Sequence, residues 1–378
     1  MTIDPVVLCP QTLWLEIPTA ALDLELRAFS HAGARWNAYL NRLAQMAVLA
    51  WIQEDFEPGA RVWPSVDALA NFHEFLNGTA ITCGPMRLVC IPTEQVDREE
   101  VRIPREWVDI PEWAADYYLP VEVDCERELV GVWGYISHAR LLKCAQRDAA
   151  DRTYCLAGCD IHPELYTIWT AQQLKVPLQS RPAPLRSLSL THARSLIERL
   201  GRAEVTFPRL EVPFEECWAP LVGHGGWRQQ LYEQRVGLPG QWSIGEWLRR
   251  GVSELGHSQG WQLRTAQAGG RSSHQMAGRT LVRQMVVAGQ PYELRIYPLY
   301  EEQEYIWRFE LRNLAGRIPG GLKLRLLTED LQPFTNNEDV AQTAVDELYI
   351  DVRLEPGDGL VWEVEPQPLD YDREVLIF

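Results

Sequence analysis

Five residues of the kind that hold zinc fall close together in this chain: His138, Cys144, Cys155, Cys159 and His162. Zinc asks for about four thiolate or imidazole ligands that converge tetrahedrally. Cys155-x3-Cys159-x2-His162 is workable spacing, and His138-x5-Cys144 would close the site. The order is irregular against the usual zinc patterns, and each residue also fits an ordinary place. Cys144 and Cys155 read as small core residues, and His162 as a helix start before Pro163. The sequence therefore assigns no metal.

A second group is acidic. Asp109, Glu112 and Asp116 lie in EWVDIPEWAADYY, residues 106–118, and Glu122 and Asp124 follow two residues apart on an expected strand, hence on one face. Such carboxylates can hold a divalent cation, do acid–base work or receive a basic partner. A nuclease-like site would want a lysine, and the nearest of only three is Lys143. The alternative is a solvated acidic face with Trp107, Trp113, Tyr117 and Tyr118 packed beneath it. No nucleophile elbow, Walker loop or dinucleotide fingerprint is expected. Gly223-His224-Gly225-Gly226 reads as a helix break, and Asn336-Asn337-Glu338-Asp339 as a capped turn rather than a calcium loop. No catalytic residue and no cofactor are assigned.

The elements that must position these groups are legible in the apolar pattern. LWLEI, 13–17, alternates as a strand, and Pro18 and Thr19 open a helix over 20–56 with apolar residues at three- and four-residue steps. A helix over 66–76 follows, then strands over 86–91, 117–124 and 129–136, with Cys125-Glu126-Arg127-Glu128 as a hairpin loop. Helices over 139–145 and 163–174 flank a strand at Tyr154. Residues 177–184, PLQSRPAP, form a semi-rigid linker. Amphipathic stretches cover 191–200, 215–235 and 243–255. From 279 onward only strands separated by turns are expected, the pattern of a β-sandwich. The fold class is α+β: a mixed α/β domain over 1–175, a linker and helical segment over 176–278, and an antiparallel β-sandwich over 279–378. The small, polar loop 266–278 is the expected protease-sensitive stretch, with first tryptic cuts at Arg264, Arg271 or Arg279.

The chain has 378 residues, 46% hydrophobic and 23% charged, which is an ordinary globular balance. Eight cysteines without a CxxC pair do not make a disulfide framework. No apolar run approaches the ~18 residues of a membrane helix, and the N-terminus has Asp4 and no basic region, so a cytoplasmic protein is expected. The net charge of −16 argues against direct nucleic-acid binding. Residues 175–280 are net basic between two acidic regions. That asymmetry either neutralises internally or marks a partner site.

Two regions carry a family resemblance. Residues 101–174 contain VRIPREWVDIPEWAADYYLPVEV, VWGYISH and DRTY. Residues 309–378 contain RNLAGRIPGGLKLRLLTEDLQPFTNNED, AVDELYIDVRLEPGDGLVWEVEP and YDREVLIF. Together they resemble the cyanobacterial domain of unknown function 1822 family. The resemblance carries over no catalytic residue. Genes similar to this one often neighbour alternative sigma factors and CHAT-type peptidases, so it implies a protein partner of one of those kinds. The expected function is a non-enzymatic regulatory or adaptor protein that restrains a sigma factor, with Asp109, Glu112, Asp116, Glu122 and Asp124 as the partner-binding surface. The alternatives are a metal-dependent nuclease- or hydrolase-like enzyme on the same acids, and a structural scaffold.

Overall fold

A computed structural model describes residues 11–22, 28–94, 97–173, 182–240, 242–265, 279–301, 304–368 and 370–378. The chain is α+β and divides into two compact units. Unit 1 takes residues 1–186 and 198–223; unit 2 takes 187–197 and 224–378. The stretch 176–278, read from the sequence as one segment, is shared between them. Residues 266–278, with Arg271, lie outside the described residues.

Unit 1 runs β1 (Leu13–Glu16), α1 (Ala32–Asp55), β2 (Arg61–Trp63), α2 (Leu69–His73), β3 (Thr79–Cys83), β4 (Met86–Thr93), β5 (Glu100–Pro104), α3 (Glu106–Asp109), β6 (Tyr117–Asp124), β7 (Leu129–Val132), β8 (Ile136–Ser137), α4 (His138–Cys144), β9 (Gln146–Asp148), β10 (Thr153–Ala157) and α5 (Thr167–Gln173). Among the described residues its main sheet has the order β1-β7-β6-β4-β3-β2, with β8 also on β6, and β5-β10-β9 form a smaller sheet. The β4–β6 pair is parallel, and the neighbouring β6–β7 and β3–β4 pairs are antiparallel.

α1 lays Leu40, Leu43, Ala44, Ala47, Val48, Trp51 and Ile52 on the sheet residues Leu88, Cys90, Leu119, Val121, Val130 and Val132. That is the stripe seen in the sequence. A short helix, Thr19–Leu22, stands at the expected start, and α1 begins at Ala32, where the His31 ring caps it: Nδ1 accepts from the Ala34 amide at 3.1 Å. The strand expected over 129–136 is two strands. Gly134 separates them at φ +156°, where a Cβ would press on the His162 carbonyl oxygen at 2.6 Å.

Unit 2 contains α6 (Gly225–Val236), α7 (Ile244–Arg250), α8 (Glu254–Ser258), β11 (Trp261–Thr265), β12 (Arg279–Val287), β13 (Gln290–Glu301), β14 (Glu304–Asn313), β15 (Lys323–Thr328), β16 (Glu338–Val340), β17 (Glu347–Arg353), β18 (Gly359–Glu365) and β19 (Leu376–Ile377). Two antiparallel sheets have the orders β11-β12-β13-β14-β17 and β16-β15-β18-β19. Leu294, Ile296, Phe309 and Leu311 from the first share one core cluster with Leu324, Leu326, Trp362 and Val364 from the second. The glycines that open α6 have a packing reason. A side chain at Gly225 would run into the Arg373 carbonyl, and one at Gly226 would meet the Val375 amide at 2.8 Å. Among the described residues no helix is long and apolar enough to cross a membrane.

Two histidines, His73 in unit 1 and His224 in unit 2, are buried deeply enough to be held neutral. His73 and His224 have pKa values pushed down to about 3, first by burial, then by Arg42 and Arg373 respectively. Both are therefore neutral in the folded protein well below their unfolded pKa of about 6.5. Between those values the unfolded chain binds more protons, so stability falls as pH drops from about 6.5 towards 3. The slope is up to about 1.4 kcal/mol per pH unit for each histidine. Urea denaturation at pH 7, 6 and 5 should show this loss, and His73→Gln should flatten it. A profile unchanged between pH 7 and 5 would contradict the buried neutral state.

Candidate functional site

Asp109 is the acid of the sequence group with the densest surroundings. Pro111 disfavours helix at the preceding residue, so α3 is a single turn that ends at Asp109, with Ile110 already extended. That turn sets Arg105 and Asp109 one helical step apart, and the Arg105 guanidinium meets Asp109 Oδ2 at 2.5 Å. Oδ1 accepts from the Tyr154 hydroxyl at 2.8 Å. Tyr154 in turn accepts from Arg147 Nε at 3.0 Å; the two residues face each other across the β9–β10 pair. Arg105 also reaches Glu215 at 2.5 Å and lies over the Phe214 ring at 4.1 Å. Burial, and then Asp109, push the Tyr154 hydroxyl up to about 12. It stays protonated and remains a donor.

His138 belongs to the same neighbourhood, since Asp109 and Asp116 both act on its charge. The Tyr118 hydroxyl donates to the Trp107 carbonyl at 2.8 Å and lies 3.0 Å from His138 Nδ1. A phenol has one proton, and the carbonyl takes it. Nδ1 must therefore carry hydrogen and donate to Tyr118, which leaves the lone pair on Nε2. Burial lowers the His138 pKa and outweighs the two aspartates. The result is a neutral imidazole in one tautomer.

The other sequence-predicted residues go elsewhere. Glu112 gives its backbone carbonyl to Arg87, which stacks over Trp63 at 3.8 Å. Asp116 accepts from the Arg87 amide at 2.7 Å. Glu122 is buried and meets Arg98 at 2.7 Å. Asp124 accepts from the amides of Glu126 and Arg127 at 3.1 and 3.0 Å, closing the β6–β7 hairpin. Glu122 and Asp124 share a strand face as expected, but each has its own partners. Cys144 and Cys159 are exposed, Cys155 Sγ lies 3.5 Å from Thr153 Oγ1, and His162 Nδ1 accepts from the Glu164 amide at 3.2 Å. Among the described residues no three His, Cys, Asp or Glu side chains are placed to hold a metal ion. In unit 2, Arg264 pairs with Glu293 at 2.7 Å, and Arg279 donates to the carbonyls of Leu248 and Arg249 at 2.9 and 2.7 Å.

Sequence reasoning passed over Arg105, Tyr118, Arg147 and Tyr154. The one local signal was the four-residue step from Arg105 to Asp109. It also passed over Gly256-His257-Ser258-Gln259-Gly260, which does fit the GxSxG pattern. The structure removes that match as a nucleophile elbow. An elbow turns from strand into helix, whereas here α8 ends at Ser258 and leads into strand β11.

A family model described as a protein of unknown function, DUF1822, matches residues 15–377. No curated protein and no solved structure matches the chain.

The hydrogen-bond chain fixes a measurable state. Long-range ¹H–¹⁵N spectra of the imidazoles at pH 7 should show His138 with hydrogen on Nδ1. Tyr118→Phe should remove that preference. An Nε2–H tautomer in the unsubstituted protein would contradict the assignment.

Proposed function

The chain belongs to the DUF1822 family, and on that premise we propose that it is a non-enzymatic regulatory or adaptor protein that acts by binding another protein. The observation that carries this reading is the occupancy of Asp109. Both its oxygens are held, one by Tyr154 and one by Arg105. Each oxygen keeps a second lone pair, but turning the carboxyl towards a substrate acts against these two contacts. Freeing Asp109 would break two charge-assisted hydrogen bonds, at roughly 1.5–3 kcal/mol each. Glu122 is tied to Arg98 through one of its oxygens. The acids serve as internal struts, which supports a scaffold that presents surface over a site that turns over substrate.

The partner class is the one implied by the resemblance: an alternative sigma factor, restrained within a system linked to a CHAT-type peptidase. Sigma-factor regions that contact promoter DNA are basic, and a protein of net charge −16 competes for them by electrostatic attraction. Association should therefore weaken with salt. A pull-down of a purified alternative sigma factor from the same host, repeated from about 50 mM to 500 mM NaCl, checks this. The expected outcome is retention at low salt and loss at high salt. No retention at the lowest salt would overturn the sigma-factor assignment.

A further inference from the structure

We propose that Trp36 and Tyr39, with Glu94 and Glu128 beside them, form a docking surface for an arginine-bearing segment of a protein partner. The proposal deepens the reading above and rests on it for the view that the partner is a protein.

Trp36 and Tyr39 lie three residues apart on α1 and so share a side of the helix. Their rings stack at 5.3 Å with 30° between planes. Trp36 keeps 45% of its surface exposed. Its indole Nε1 donates to Glu94 Oε2 at 2.7 Å, which holds the ring in place and brings a carboxylate to its edge. The tip of the β6–β7 hairpin supplies the other acid, Glu128. Tyr39 and Cys125 show that these groups share one locality: burial raises both pKa values first, then Cys125 and Glu128 act on Tyr39, and Glu94 and Asp124 act on Cys125. The basic group of that hairpin, Arg127, is turned to Asp124 at 3.4 Å.

An exposed indole backed by a half-buried tyrosine and rimmed by carboxylates has few suitable partners. An anion is repelled by the rim. A purely apolar segment would cover the rings but strip water from the carboxylates without replacing it. A guanidinium satisfies both parts, because its plane stacks on the ring while its N–H fork donates to the acids. Lysine offers the charge without the plane. The protein already uses the same geometry inside its own fold, with Arg87 over Trp63 at 3.8 Å, Arg105 over Phe214 at 4.1 Å and Arg308 over Tyr349 at 4.3 Å.

Calorimetric titration of the full chain with hexaarginine and hexalysine peptides at low salt tests the surface. Hexaarginine should bind at least several-fold more tightly than hexalysine. Trp36→Leu should erase most of that preference, and Glu94→Gln with Glu128→Gln should weaken both peptides, with the melting temperature essentially kept. Equal affinity for the two peptides, or affinities indifferent to both variants, would overturn the proposal and leave only general acidity. The sigma-factor pull-down separates the two readings. Wild-type retention that persists undiminished in both variants sinks this surface and leaves the adaptor reading standing. Peptide discrimination without any sigma-factor retention keeps the surface and sinks that partner.

Discussion

Glu106 has no exposed surface, and a carboxylate so placed must find its partners inside the protein. Arg209 supplies them from 103 residues away, with Nε on one oxygen at 2.9 Å and an Nη on the other at 2.7 Å. The Trp218 indole adds a third donor at 2.8 Å. Arg209 also donates to the carbonyls of Asp151 and Arg152, and Arg152 returns its guanidinium to the carbonyls of Arg209 and Val212. These bonds lay the segment 208–218 onto unit 1 and hold α3 in place. The geometry of Arg105, Asp109 and Tyr154 follows from that.

Unit 2 repeats the solution. Glu374 is buried and accepts from the Trp362 indole at 2.7 Å, from the Trp261 indole and from Arg283. Glu329 accepts from Arg194 at 3.0 Å and from the Trp227 indole at 3.2 Å. The Arg194 bond gives 187–197 a place in this unit, although the residues directly after it belong to the other. Each of these sites asks for a planar fork or a single aromatic N–H donor beside apolar surface. These sites draw on the two residue types in which the chain is rich: it has 15 tryptophans, and all but three of its 36 lysine and arginine residues are arginine. An ammonium would need more water than these sites admit.

The same economy shapes what is left for function. Carboxylates that look reactive in the sequence are consumed in holding strands and turns together. Where a carboxylate holds an indole at the surface, as Glu94 holds Trp36, the identical bond leaves an aromatic face open. The docking surface proposed above would thus grow from the device that stabilises the fold.

By itself the sequence determined the elements whose signal is local. α1 followed from apolar spacing, β6 and β12–β14 from β-rich runs, and the break before α6 from its glycines. The α+β class and the family followed as well. It did not reveal β2, β3, β5, β9, β11 or β16, which are short; β16 starts at Glu338, where a capped turn was expected, and β3 is buried along its whole length, so alternation between faces vanishes. The partners of the acids were equally out of reach. Asp109 meets Tyr154 across 45 residues, Glu106 meets Arg209 across 103, and Glu329 meets Arg194 across 135. A charged residue carries no periodic mark of whether it will face water or a buried guanidinium. Only the packing of distant segments decides that, because the cost of burying the charge is met only where the partner's guanidinium arrives with it.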